Sequence, residues 1–245
     1  MVVQLPEHID PLRLAVRDFA TRELRPRVDE MEEAGAIDRS LIDKIGQLGY
    51  FGAPFEERWG GSAMGEIGFT IVQEEIARAH ASTAVLVAAS SGLAARMIAV
   101  AGSDEQKKRF LTPMAQGKGV GAFCLTEAGA GSDVPAMATA ALADGDNFVI
   151  NGQKIWTSGA QYADWIFCLT RTDPSAPKHE GISFLLFSMN QPGVTVRPIR
   201  LISGVSPFCE TFFDNAVAKK EDLVGELNHG WTVAKRLLQH ERLGM

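Results

Sequence analysis

In "FCLTEAGAGSDV", residues 123–134, Thr126 and Ser132 stand among glycines and alanines. Small residues let a ligand approach the backbone closely. Hydroxyls and free N–H groups suit a phosphate or the edge of a ring system. The stretch is neither Gly-x-Gly-x-x-Gly nor a loop ending in Gly-Lys-Ser/Thr. A plain connection between a helical and a β region would have the same composition, and these residues alone leave both readings open. In "NGQKIWTSGAQYADW", residues 151–165, Trp156 precedes Thr157 and Ser158. An aromatic plane beside two hydroxyls could stack on and hydrogen-bond a flat heterocycle. Taken by itself, a core tryptophan followed by turn residues is the simpler account.

The third candidate is Glu241. Advancing about 100° per residue along a helix, it falls on the stripe of Ala234, Leu237, Leu238 and Met245, while Lys235, Arg236, Gln239 and His240 fall elsewhere. A carboxylate on an apolar face resists ionisation, which suits a general base. A solvated glutamate near a frayed end fits the same residues equally well. His8, His80, His179, His229 and His240 show no metal-ligand spacing and are read as structural or solvated, so no metal is expected. Glu74 and Glu75 read as a solvated or ion-paired helix face, and "KKED" (219–222) as a charged turn.

The chain must position these groups with ordinary material. Of its 245 residues 46% are hydrophobic, and the net charge of -6 offers no field for a nucleic acid or an anionic membrane. Cys124, Cys168 and Cys209 lie apart in apolar surroundings and read as reduced, buried thiols. The N-terminus lacks the basic start and apolar core of a signal peptide. The apolar stretch from Ser82 to Ala101 is interrupted by Ser90, Ser91, Gly92 and Arg96, so no membrane span is expected. A cytoplasmic protein is the resulting expectation.

Before Gly117 the pattern is helical. Asp10 reads as an N-cap with Pro11 at the first helical position. Pro26 should kink that helix and Gly35 end it. A shorter helix stops near Gly49, two apolar helices cover 66–78 and 82–100, and Ser103 with Gln106 forms a capping box. Beyond Gly117 come about seven short strands, with turns expected at Asp144-Gly145 and Asn151-Gly152. Pro174, Pro177, Pro192 and Pro198 belong in loops or at sheet edges. From Trp231 the helical pattern returns. Helices followed by strands make an α+β chain rather than an alternating βαβ one. The regions are a helical domain over 1–118, a β-barrel or sandwich-like domain over 119–226, and the start of a further helical domain over 227–245.

Together these stretches resemble the acyl-CoA dehydrogenase family. The family's flavin motif runs aromatic-x-hydrophobic-Thr-Glu-Pro-x-x-Gly-Ser-Asp, against "FCLTEAGAGSD" here, and its Lys-x-Trp motif appears as "KIWTSG". "PFEERWGG", "AGSDEQKKRFLTPMAQG" and "FFDNAVAKKEDLVGELNHGW" match further segments in order, so the resemblance covers essentially the whole chain. One departure is Ala128, where the family usually has Pro; the loop loses stiffness but no donor.

The resemblance implies an FAD site. Phe123, Cys124, Leu125 and Thr126 would run along the pyrimidine side of the flavin, and Gly131 and Ser132 would lie near the pyrophosphate, with Ser132 also near the acyl-CoA. Trp156 and Thr157 would pack by the flavin, with the Ser158 hydroxyl near N5. It implies α,β-dehydrogenation of an acyl-CoA thioester to a trans-2-enoyl-CoA, as in fatty acid β-oxidation. A glutamate takes the Cα proton, hydride passes from Cβ to flavin N5, and an electron-transferring flavoprotein receives the electrons. A minority of relatives carry the base on the first helix after the β domain, directly before an arginine. Glu241 and Arg242 occupy that place, which makes Glu241 the expected base and Arg242 a substrate contact. Most relatives carry the base in a later loop. Relatives also continue through a C-terminal helical bundle that builds a dimer or tetramer. Met245 is therefore read as a break, and this chain alone is expected to bind FAD weakly or not at all and to turn over little. The rival readings are a flavin-dependent monooxygenase or oxidase of the same fold, and an incomplete non-catalytic paralogue.

Overall fold

The computed structural model describes residues 9–241, with side chains described as far as Gln239. The order is helical, then β, then helical. The first helix, Ile9–Phe19, already contains Asp10, so Asp10 lies inside its first turn rather than capping it. A π-turn (Ala20–Leu24) and a tight turn at Pro26 (Arg25–Arg27) follow, because proline cannot supply the helical N–H. Helix Val28–Ala34 ends at Gly35, whose φ of 62° is left-handed. Asp38 caps Arg39–Gln47 by accepting from the Ser40 N–H at 2.8 Å. Ser103 and Gln106 form the expected capping box. The Gln106 amide then donates to the carbonyls of Glu221 and Leu223, both at 2.8 Å, and so ties the helical part to the end of the β part.

Helix Gly65–Ala79 and helix Ala81–Ala101 form the centre of the helical half. The polar interruptions expected in the second of these do not break it. It is one helix of 21 residues, long and apolar enough by length and composition to cross a membrane, yet 56% of its most apolar stretch is buried within the fold. Arg96 reaches out of it to a bidentate contact with Glu66. Glu75, on a face read above as solvated or ion-paired, is ion-paired, and it is buried at 1% exposure. Arg13 and Arg17 from the first helix reach in to it, with Arg17 Nη2 at 2.8 Å.

Eight strands follow: β1 (Gly121–Cys124), β2 (Ala140–Asp144), β3 (Asn147–Ser158), β4 (Trp165–Arg171), β5 (Ile182–Ser188), β6 (Val194–Ile199), β7 (Phe208–Lys219) and β8 (Leu223–Val224). The order across the sheet is β6-β7-β3-β2-β4-β5-β8, with β1 parallel to β4 beside this path. The sheet curls over its own core, so that Phe187 of β5 meets Phe213 of β7 edge to face at 5.3 Å. Pro198 sits in β6, which pairs only with β7, as a residue lacking a donor requires. The turn at Asp144-Gly145 joins β2 to β3, but Asn151-Gly152 does not turn the chain. β3 runs straight through it, the extra residue of the bulge there lies in β7 between Phe213 and Ala216, and the Asn151 side chain accepts from the Asn215 N–H at 2.9 Å. "KKED" is a turn, but Asp222 within it is buried and paired with Arg109.

One core joins all three parts. Met97, Ile98 and Phe110 from the helices, Phe167 and Phe184 from β4 and β5, and Val233, Ala234 and Leu237 from the final helix, Gly230–Glu241, pack together. Each of these side chains other than that of Ala234 contributes about 1.5–3 kcal/mol on burial. Gly121 permits the close approach of helix and sheet: a Cβ there would sit 2.5 Å from Met114 Cε and 2.7 Å from Ala94 Cβ.

Candidate functional site

The two singled-out stretches lie side by side. The Ile155 N–H donates to the Thr126 carbonyl at 2.9 Å. Beneath that bond is a buried ion pair that was not anticipated. Lys154, with no exposed surface, places Nζ 2.8 Å from Glu127 Oε1 and 3.0 Å from the Leu125 carbonyl. Glu127 also accepts from the N–H groups of Ala138 (2.7 Å) and Thr139 (3.0 Å). Burial pushes the Glu127 carboxyl up, but the charge and hydrogen bond of Lys154, with those donors, hold it below its ordinary value. A lysine of one stretch thus clamps both the entry and the return of the loop formed by the other. Strand alternation could have shown this: Lys154 shares a face with Phe148 and Ile150, and a lysine on a buried face demands a carboxylate.

The other named residues take distinct places. Phe123 is half-buried and stacks on Phe184, 5.8 Å between centroids. The Cys124 thiol is buried, and burial pushes its pKa well up, so it is inert. Leu125 and Thr126 are half-buried, and Gly131 and Ser132 are exposed at the loop tip. A Cβ built on Gly129 or Gly131 would meet nothing within 4 Å, so the loop borders open space. Trp156 is 51% exposed rather than a core residue, and its φ of 63° is left-handed, which is rare for a bulky side chain. That backbone sits at the bulge between Lys154 and Thr157, and the indole meets Phe208 edge to face at 6.0 Å. Thr157 does not join Trp156 as expected. Its hydroxyl is buried and accepts from Thr211 at 3.3 Å, so of the two hydroxyls only that of Ser158 stays accessible. Glu241 ends the described helix one turn after the buried Leu237; its side chain, and all of Arg242, lie outside the described residues.

Ser158 also lines a cavity of about 340 Å³. One wall is helical, with Glu32, Ile37, His80, Val85 and Ala89; the other is β, with Gly121, Ser158, Tyr162 and Phe208. The Tyr162 hydroxyl joins the walls by donating to the Gly35 carbonyl at 2.9 Å. The exposed Trp156 plane, the accessible Ser158 hydroxyl and the small-residue loop fit a flat cofactor that carries phosphates.

Residues 6–118 match the acyl-CoA dehydrogenase N-terminal domain, and residues 122–216 match the middle domain of the same family. The chain belongs to the acyl-CoA dehydrogenase family. Members of this family are FAD-binding flavoproteins. A 3-(aryl)acrylate reductase of Clostridium sporogenes is 32% identical over 98% of this chain and 64% of its own length. The butyryl-CoA dehydrogenase of Megasphaera elsdenii superposes with a TM-score of 0.91 at 30% identity, over 100% of this chain and 65% of that one. A chain in the structure of the electron transferring flavoprotein of Acidaminococcus fermentans superposes with a TM-score of 0.93 at 33% identity, over 100% of this chain and 64% of that one. This chain therefore spans just under two thirds of these three relatives.

Proposed function

We propose that this chain holds FAD against Trp156 and the 125–133 loop, and serves the α,β-dehydrogenation of an acyl-CoA thioester. The observation that carries the reading is the Lys154–Glu127 clamp, which brings both flavin-motif stretches of the family into one surface bordered by open space. FAD, when bound, supplies the acceptor for the hydride that leaves Cβ. The chain's own residues do the rest. Backbone N–H groups of the loop and the Ser132 hydroxyl bind phosphate oxygens. Ser158 donates to the ring edge, and Trp156 covers its plane. Glu241 takes the Cα proton, from a helix whose preceding turn is packed in the core shared by helices and sheet. Arg242 contacts the acyl-CoA.

Transfer of the electrons to an electron-transferring flavoprotein, assembly as a homo-oligomer and a cytoplasmic location belong to the same proposal. One relative is a 3-(aryl)acrylate reductase, which supports including the reverse direction, reduction of an unsaturated acid derivative, in the proposal.

Glu241→Gln provides the test. The variant should keep whatever FAD the parent chain keeps, read by the visible spectrum, while bleaching of the flavin by acyl-CoA is lost. Bleaching at the parental rate would place the base elsewhere. Oxygen uptake by the reduced flavin, with no bleaching by any acyl-CoA in the parent chain, would instead favour an oxidase or monooxygenase.

A further inference from the structure

The cavity beside Ser158 carries one unmatched charge-bearing atom. Most of its helical wall is apolar, with Met31, Ile37, Val85, Leu86 and Ala89. The charged or titratable side chains in that wall are His80 and Glu32, which pair: His80 Nε2 lies 2.6 Å from Glu32 Oε1. Ser82 donates to the same oxygen at 3.1 Å, and His80 Nδ1 is held by the Thr83 hydroxyl at 2.8 Å. Across the cavity, the Tyr162 hydroxyl is engaged with Gly35, and the Gln161 amide is engaged with the Ser206 carbonyl and the Cys209 thiol. Glu32 Oε2 has no hydrogen-bond partner among the described residues. The hydrogen bond from His80, then that from Ser82, holds this carboxyl below its ordinary value, so it is an anion at neutral pH. Its side chain is 51% exposed, which places it at the rim of the cavity that it lines together with Ser158.

A half-solvated anion at the rim of an apolar cavity is a reader of chemistry. It accepts a hydrogen bond from a neutral donor and repels a second carboxylate. An ammonium would have to be drawn through the apolar wall at a desolvation cost that a hydroxyl largely avoids. We propose that the cavity receives the acyl portion of the substrate, and that Glu32 favours acyl groups bearing a hydroxyl at the end remote from the thioester and disfavours those ending in a carboxylate. This rests on the acyl-thioester reading above.

The test uses free ligands and no flavin, so it reads the cavity alone. Binding of methyl decanoate, methyl ω-hydroxydecanoate and monomethyl decanedioate, whose ester end stands for the thioester and whose remote ends alone differ, is measured by titration calorimetry with the purified chain. The hydroxy ester should bind about tenfold or more tightly than methyl decanoate, the advantage of a hydrogen bond to a charged acceptor, and the half-acid ester more weakly than either. Glu32→Gln should lift the exclusion of the half-acid ester and shrink the hydroxyl preference. Val85→Trp, at a position 54% exposed and so tolerant of bulk, should abolish binding of all three while the circular dichroism spectrum is unchanged. Equal affinity for the three ligands, no binding of any of them, or preferences unchanged in Glu32→Gln would overturn the proposal. Failure of the dehydrogenase reading is separate: it would show as the hydroxyl preference intact in a chain whose flavin no acyl-CoA bleaches.

Discussion

Two buried carboxylates, one in each half of the chain, are held in opposite ways. Glu75 lies between helices and is met by arginines that reach in from the surface: the side chains of Arg13, Arg17 and Arg78 keep 22%, 45% and 64% of their exposure. Its hydrogen bond to Arg17 is the main reason its pKa is lowered. Glu127 is met from below by a lysine with no exposure and from the side by two backbone N–H groups. The first arrangement joins two helices already packed through Val16, Val72 and Ile76. The second fixes a loop whose tip, from Gly131 to Asp133, is exposed. The cations that meet Glu75 are themselves shared with water, whereas the cation that meets Glu127 is wholly enclosed. That difference separates a stabilising contact from a device that shapes a site.

The largest effect should come from Lys154→Met. It removes the cation and leaves Glu127 buried beside two donors, a change of about 3–5 kcal/mol for a broken buried pair. Urea unfolding measures that loss, and FAD binding, followed by flavin fluorescence, should fall with it because the loop loses its clamp. Lys154→Met combined with Glu127→Leu should be less destabilised than Lys154→Met alone, since no unpaired charge remains, yet FAD binding should not return. A double variant that binds FAD normally would show that the ion pair contributes stability and nothing to the site.

Acid should act on the same pair. Glu127 is held below its ordinary value, near 4.3 in an unfolded chain. The folded state therefore prefers the charged form. The contribution of the pair is complete above the unfolded value and is lost as pH falls through the lower, folded one. Urea midpoints taken from neutral pH down to about pH 3 should show a decline in the parent chain that is smaller in Lys154→Met. Parallel declines would remove Glu127 as the source.

The clamp also marks where the sequence stopped being readable. Glycine, proline and capping residues act over a few positions, and Gly35, Pro26 and the Ser103–Gln106 box did what local chemistry demands. The helical and β halves followed from periodicity, and Glu127 and Lys154 both stood inside the stretches singled out for chemistry. Their pairing did not follow, because it spans 27 positions and depends on β3 lying against the 125–127 segment. Asn151-Gly152 misled for a related reason. Its local preference is a tight turn, but the pairing of β3 with β7 on both sides holds the strand straight, and the extra residue of the bulge there belongs to β7. Glu75 was read as solvated or ion-paired, and the ion pair is there; its burial did not follow, because the arginines that allow it lie 58 and 62 positions away.

A smaller effect is expected at Glu75→Gln. The isosteric amide keeps one acceptor for Arg17 and releases Arg13 and Arg78 to water, so the loss should be about 1–2 kcal/mol. Because the arginines are partly solvated, that loss should shrink in molar salt, whereas the loss in Lys154→Met should not. Equal salt sensitivity of the two variants would erase the distinction between a solvated and an enclosed pair.

The smallest change in stability should come from the residue most exposed to a ligand. Trp156 holds a left-handed φ of 63°, which costs an L-residue about 1–2 kcal/mol. In return it gains little from the fold, since half its surface is open and its aromatic contact is one edge-to-face meeting with Phe208. Glycine adopts that backbone freely. Trp156→Gly relieves the strain and gives up the ring contact, worth about 0.5–1.5 kcal/mol, so unfolding stability should change by less than about 1 kcal/mol. FAD affinity should nonetheless drop, because the plane against which the cofactor rests is gone. A strained residue that can be removed without loss of stability, but not without loss of binding, would mark Trp156 as held for the ligand, just as the clamp beneath it is held for the loop. If stability falls by several kcal/mol instead, the indole is part of the core, and the surface assigned to the cofactor lies elsewhere.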